Sequence, residues 1–184
     1  MPEVVQAHPT RAQLLVIDLQ ERLMPHIDGA GAVIEQTVRM IRAARELRLP
    51  ISLSEQNAKA LGATVSPVFE AVGDAPRIAK VHFSLCGCKE AQARITSLMR
   101  PQVLLCGVEA HVCVQQTALD LLGDQMQPIV LADAVSSRRP LDREVALERM
   151  RSAGVVVTTV ESVVFELLER CDTELFRRVL PLVK

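Results

Sequence analysis

VLLCGVEAHVCVQQTALDLLGD, residues 103–124, changes its hydrophobic period part-way along. VLLCGV (103–108) is a short, almost unbroken apolar run, as expected of a strand covered on both faces. VCVQQTALDLLGD (112–124) reads as a helix. A strand that feeds a helix is half of a βαβ unit, and the same alternation extends in both directions from this stretch. Upstream lie a strand QLLVID (13–18), a helix GAVIEQTVRMIRAARELR (31–48), a strand ISLS (51–54), a short helix around 64–72, a strand RIAKVH (77–82) and a helix KEAQARITSLMR (89–100). Downstream lie a strand PIVLAD (128–133), a helix DREVALERMRSAG (142–154) with Asp142 as its N-cap, a strand VVVTTV (155–160), and helices over 161–170 and 173–180.

Six apolar strands with crossover helices predict an α/β fold: one doubly wound, mostly parallel six-stranded sheet with helices on both faces. No linker, repeat or low-complexity segment interrupts the pattern, so residues 1–184 read as a single domain. For the strand order 3-2-1-4-5-6, strands 1 and 4 meet at the switch point. Ligands of such sheets bind there, at the carboxyl ends of the strands.

Composition narrows the function. The 184 residues are 49% hydrophobic, but four Phe are the only aromatics, with no Trp and no Tyr. Lys and Arg number 21 against 22 Asp and Glu, a net charge of −1. Nucleic-acid readers need basic surface and stacking aromatics, so no nucleic-acid partner is expected. No apolar run is long enough to span a membrane, and MPEVVQAHPT lacks the pattern of a signal peptide. Five Cys is an odd number, which argues against a disulfide framework and for a reducing, cytoplasmic location.

Three residues stand out at the switch point. Asp18 ends the first strand, where an unpaired carboxylate is costly to desolvate. Lys80 closes the third. Cys113 begins the helix after the fourth, where the helix N-terminus favours a thiolate. Together they offer a nucleophile, a proton acceptor and a cation. VIDLQERL (16–23) contains no Gly-rich phosphate fingerprint, so no nucleotide cofactor is expected.

VIDLQERLMPHI (16–27), KVHFS (80–84) and GVEAHVCVQQTALDLL (107–122) resemble the three motif regions of the isochorismatase-like cysteine hydrolases. DAVSSRRPLDREVALERMRSAGVVVTTVESVVFELL (133–168) resembles the tail of the same group. Glu55-Gln56 and LGAT (61–64) bring it nearest to the isochorismatase domain-containing branch. The resemblance spans nearly the whole chain. It implies a catalytic triad of Asp18, Lys80 and Cys113, and a cis peptide between Val108 and Glu109. It also implies an oxyanion hole from the backbone N–H groups of Glu109 and Cys113, with no catalytic part for the Glu109 side chain. The implied reaction is acyl transfer through a thioester on Cys113, and relatives commonly form homo-oligomers.

The departures sharpen the reading. Nicotinamidase relatives hold a metal after strand 2 with an Asp and two His, whereas SLSEQNAKALG (52–62) has neither residue type. The four His have no ligand spacing to one another, so no catalytic metal is expected. Isochorismatases proper cleave a vinyl ether and some relatives lack the Cys; its presence here favours a C–N hydrolase. Gln56, Phe83 and His111 are the substrate-binding candidates. Cys88-x5-Arg94 and Cys171-x5-Arg177 have phosphatase spacing, but no Gly lies between to form a phosphate loop. Two further readings remain: a binding module that keeps the fold without catalysis, and a thiol-redox protein pairing Cys113 with Cys86 or Cys88. The scarcity of aromatics points to a small polar or aliphatic carbonyl substrate held by aliphatic walls and backbone donors.

Overall fold

The computed structural model describes residues 6–183. Residues 1–5, part of the stretch read above for a signal peptide, lie outside the described residues. The strands are β1 (Ala12–Ile17), β2 (Ile51–Gln56), β3 (Arg77–Lys80), β4 (Gln102–Val108), β5 (Gln127–Ser136) and β6 (Val156–Thr158). They form one six-stranded sheet in the order β3-β2-β1-β4-β5-β6, and every pairing is parallel. The strand order is the one expected from the sequence.

The helices are α1 (Ala30–Glu46), α2 (Ala58–Leu61), α3 (Ser66–Val72), α4 (Lys89–Ser97), α5 (Gln115–Gly123), α6 (Pro140–Ala153), α7 (Val160–Leu168) and α8 (Glu174–Val183). Alternation along β1 divides the core in two. Leu14 and Val16 face the layer containing α1, α3, α7 and α8, while Leu15 and Ile17 face α4, α5 and α6. All six residues of β1 are buried, as a central parallel strand requires. Each fully buried Leu or Ile side chain contributes about 1.5–3 kcal/mol of transfer free energy.

Several boundaries differ from the sequence reading, each for a local reason. β3 stops at Lys80 instead of running to residue 82; beyond it the chain curls so that the carbonyls of His82 and Phe83 accept from the Lys80 ammonium. The helix read around 64–72 is α3, which starts at Ser66 with Pro67 in its first turn, and an additional short helix, α2, precedes it and is closed by Gly62 at φ +79. β5 runs three residues further than expected, its register against β4 shifting between Leu105 and Gly107. Asp142 is not an N-cap: α6 starts at Pro140, whose fixed φ suits a first turn, and Asp142 lies within that turn. Thr159 leaves the sixth strand to cap α7, accepting from the Ser162 N–H at 3.4 Å.

Gly107 sets how closely β4 approaches β1. Its φ is +120, and a Cβ there would overlap the Ile17 carbonyl, its register partner. Only glycine fits at this point, directly below the carboxyl ends of the two strands.

Candidate active site

The sheet register brings the polar groups together. Asp18 is not the last residue of β1 but the first beyond it, at φ +54, with its N–H donating to the Ser54 carbonyl at 3.2 Å. Ser54 of β2 pairs with Ile17, so its side chain lies beside Asp18. Two residues on, Gln56 pairs with Lys80 of β3. β2 therefore bridges the strand that delivers the carboxylate and the strand that delivers the ammonium.

The Asp18 and Lys80 side chains are both fully buried. Lys80 Nζ donates to Asp18 Oδ2 at 2.7 Å and to Gln56 Oε1 at 2.7 Å. It also meets the carbonyls of Phe83 at 3.1 Å and His82 at 3.3 Å, and lies 3.5 Å from Cys113 Sγ. The other carboxylate oxygen, Asp18 Oδ1, accepts from Ser54 Oγ at 2.7 Å. Every charged atom of the pair is satisfied, which is the condition for tolerating a buried ion pair.

Cys113 lies in a π-helical turn, Ala110–Val114, rather than in the first turn of a regular helix. The Val114 N–H reaches back to the Glu109 carbonyl at 3.2 Å, and α5 continues from Gln115. The helix-end argument predicts a lowered thiol pKa; the surroundings reverse it. Burial pushes the Cys113 thiol up to about 12, the Asp18 carboxylate adds to the rise, and the Lys80 ammonium offsets part of it. At neutral pH the thiol carries its proton, with a carboxylate beside it to take that proton.

The Val108–Glu109 peptide is cis. The Glu109 side chain turns away from Cys113 and holds Arg138, accepting from its backbone N–H and its Nε, each at 3.0 Å. His111 is half-buried, its Nδ1 2.9 Å from Ser137 Oγ. Phe83 is 54% exposed, and its backbone carbonyl accepts from Lys80. Gln56 has both ends of its amide engaged, Oε1 by Lys80 and Nε2 by the Val81 carbonyl at 2.9 Å.

Sequence reasoning missed Ser54 and Thr117. Thr117 Oγ1 accepts from the Leu85 N–H at 3.1 Å and ties the loop after β3 to α5. The signal for Ser54 was a hydroxyl in a buried strand, which becomes informative only with the register to β1. Among the described residues, no three His, Cys, Asp or Glu side chains are grouped to hold a metal ion. All five cysteines are free, and burial with the nearby Asp120 pushes Cys86 up to about 11.

Comparison with known proteins gives this constellation its context. The isochorismatase domain profile matches residues 12–162, most of the chain. The chain belongs to the isochorismatase family. Its fold is that of the isochorismatase-family hydrolases. The secreted isochorismatase effector Isc1 of Phytophthora sojae is 38% identical over 96% of this chain and 86% of its own length. Isochorismatase domain-containing protein 1 of Danio rerio is 37% identical over 96% of the chain, and the chain spans 62% of that longer protein. Among solved structures of the isochorismatase fold, one named MAR1 ribonuclease from Caenorhabditis elegans superposes with a TM-score of 0.92. It is 37% identical, over 97% of this chain and 92% of that one. No helix among the described residues is long and apolar enough to cross a membrane.

Proposed function

We propose that this isochorismatase-family protein is a metal-independent cysteine hydrolase that cleaves a small amide-like C–N bond through a thioester on Cys113. The observation that carries the reading is Lys80 Nζ, 2.7 Å from Asp18 Oδ2 and 3.5 Å from Cys113 Sγ in one buried cluster. A base and a nucleophile held together by a shared cation have the arrangement that nucleophilic catalysis requires.

Asp18 takes the thiol proton as Cys113 Sγ bonds to the substrate carbonyl carbon, and the carbonyl π electrons move to oxygen. The backbone N–H groups of Glu109 and Cys113 hold that oxyanion. Asp18 returns the proton to the leaving nitrogen as the C–N bond breaks, leaving a thioester. Water then attacks the thioester and gives its proton to Asp18. The sulfur departs and recovers that proton, and a carboxylic acid is released. Lys80 keeps Asp18 in place throughout.

His111 and Phe83 are assigned to the substrate side of the site, while Gln56, engaged by Lys80, serves that lysine more than the substrate. With no Trp or Tyr anywhere in the chain, the substrate is a small polar or aliphatic carbonyl compound. The protein acts as a single domain without a cofactor, assembles as a homo-oligomer and works in a reducing, cytoplasmic setting, in keeping with five unpaired thiols. A non-catalytic binding role would leave a costly buried ion pair beside an unused thiol.

The name of the nematode relative raises RNA cleavage as a second reading. A net charge of −1 gives little help in drawing a polyanion to the site. The test is a panel of small amides, esters, vinyl ethers and single-stranded RNA, run with the wild-type chain and Cys113→Ser. Amine release from an amide that is lost in Cys113→Ser supports the proposal. RNA cleavage with no amide turnover contradicts it.

A further inference from the structure

We infer that Ser54 is a positioning residue for Asp18, whose hydroxyl fixes the carboxylate and moderates its hold on the Cys113 proton. The inference rests on the reading of Asp18 as the acceptor of that proton. Ser54 is fully buried and donates to Asp18 Oδ1 at 2.7 Å, while Lys80 occupies Oδ2 at 2.7 Å. The two donors approach from neighbouring strands, β2 and β3, so the carboxylate is held at both ends and cannot turn. The Ser54 backbone contributes as well, since its carbonyl receives the Asp18 N–H at 3.2 Å.

A hydrogen bond to an ionised carboxylate stabilises the charged form and weakens its pull on other protons. The Asp18 charge is one of the two main influences raising the Cys113 thiol, after burial. With the Ser54 hydroxyl gone, the fully buried Asp18 Oδ1 loses a donor, its negative charge is less dispersed beside Cys113, and the sulfur keeps its proton to a higher pH. Less thiolate is then present at any given pH. A residue that merely packed the strand would act in the opposite sense, because loosening the site exposes Cys113 and speeds its modification.

The experiment measures iodoacetamide labelling of Cys113 at pH 9, by peptide mass spectrometry on the folded protein. It compares wild type, Ser54→Ala, Ser54→Thr, Ser54→Val and Asp18→Asn. Thr and Val have the same shape and differ in the hydroxyl, so this pair decides the matter should the alanine variant fold poorly. Ser54→Ala and Ser54→Val are expected to label about three- to tenfold more slowly, up to one pKa unit in the thiol. Ser54→Thr is expected to restore the wild-type rate, and Asp18→Asn to label faster. Labelling of Ser54→Val at or above the rate of Ser54→Thr, with Asp18→Asn still fast, overturns the role of Ser54. Labelling of Asp18→Asn at the wild-type rate instead removes the coupling between Asp18 and Cys113, and with it the proposed proton transfer.

Discussion

The Lys80 ammonium lies 3.5 Å from the Cys113 sulfur while its strongest partner, Asp18 Oδ2, lies 2.7 Å away. The cation thus sits between a carboxylate and a thiol that carries its proton at rest. This geometry suits proton transfer at the moment of attack better than a standing thiolate, and it leads to the following expectations.

Charge at Asp18 controls the thiol. The carboxylate raises the Cys113 pKa, so neutralising it in Asp18→Asn lowers that pKa and enlarges the thiolate fraction at any pH below about 12. Wild-type labelling is expected to be slow at pH 7 and to rise about tenfold per pH unit. Asp18→Asn labels faster at every pH, yet loses hydrolysis because no proton acceptor remains. Parallel labelling and turnover assays check the two opposite changes.

The ion pair is expected to show strong coupling. Asp18→Asn leaves a buried ammonium and Lys80→Met leaves a buried carboxylate, each costing about 3–5 kcal/mol. The double variant removes both charges, so its loss should fall well short of the sum. Urea unfolding of the four proteins measures this.

Gly107→Ala should unfold the site from below. An added methyl has to displace the Ile17 carbonyl, at a φ of +120 that alanine resists. A cost of at least about 2 kcal/mol is expected from overlap and backbone strain together, read as a lowered melting temperature with lost activity.

Glu109→Gln should keep most of the activity, because the role given to Glu109 belongs to its backbone N–H. Its carboxylate pairs with Arg138, whose side chain is 60% exposed. Arg138→Ala leaves the buried Glu109 carboxylate with only the backbone N–H of residue 138 as donor and is expected to cost about 1–3 kcal/mol. Steady-state rates and melting temperatures of both variants test this separation.

Chelator treatment should leave hydrolysis unchanged, since no three His, Cys, Asp or Glu side chains are grouped among the described residues, and the polar side chains at the site, Gln56 and Ser54, are committed to Lys80 and Asp18. Loss of activity in a chelator, with recovery on adding zinc or iron, contradicts the metal-independent reading.

The sheet order was legible because buried parallel strands leave long apolar runs, VLLCGV most plainly. Asp18, Lys80 and Cys113 were legible because each interrupts or follows such a run at a carboxyl end. The Cys113 thiol was misjudged in sign: helix position is local and visible, while burial against Asp18 depends on three strands meeting. Ser54 was invisible for a related reason, since its meaning comes from register with Ile17. Gln56 was singled out through the family resemblance as a substrate contact, but only the pairing with Lys80 showed what its amide binds.

The central claim is that Cys113 carries the acyl group. Intact-protein and peptide mass spectrometry after acid quench, during turnover of an amide found active in the panel, measures it directly. The expected result is a mass increase equal to the substrate acyl group, located on the peptide containing Cys113 and absent from Cys113→Ser. Undiminished hydrolysis by Cys113→Ser, or an adduct on another residue, would contradict the account.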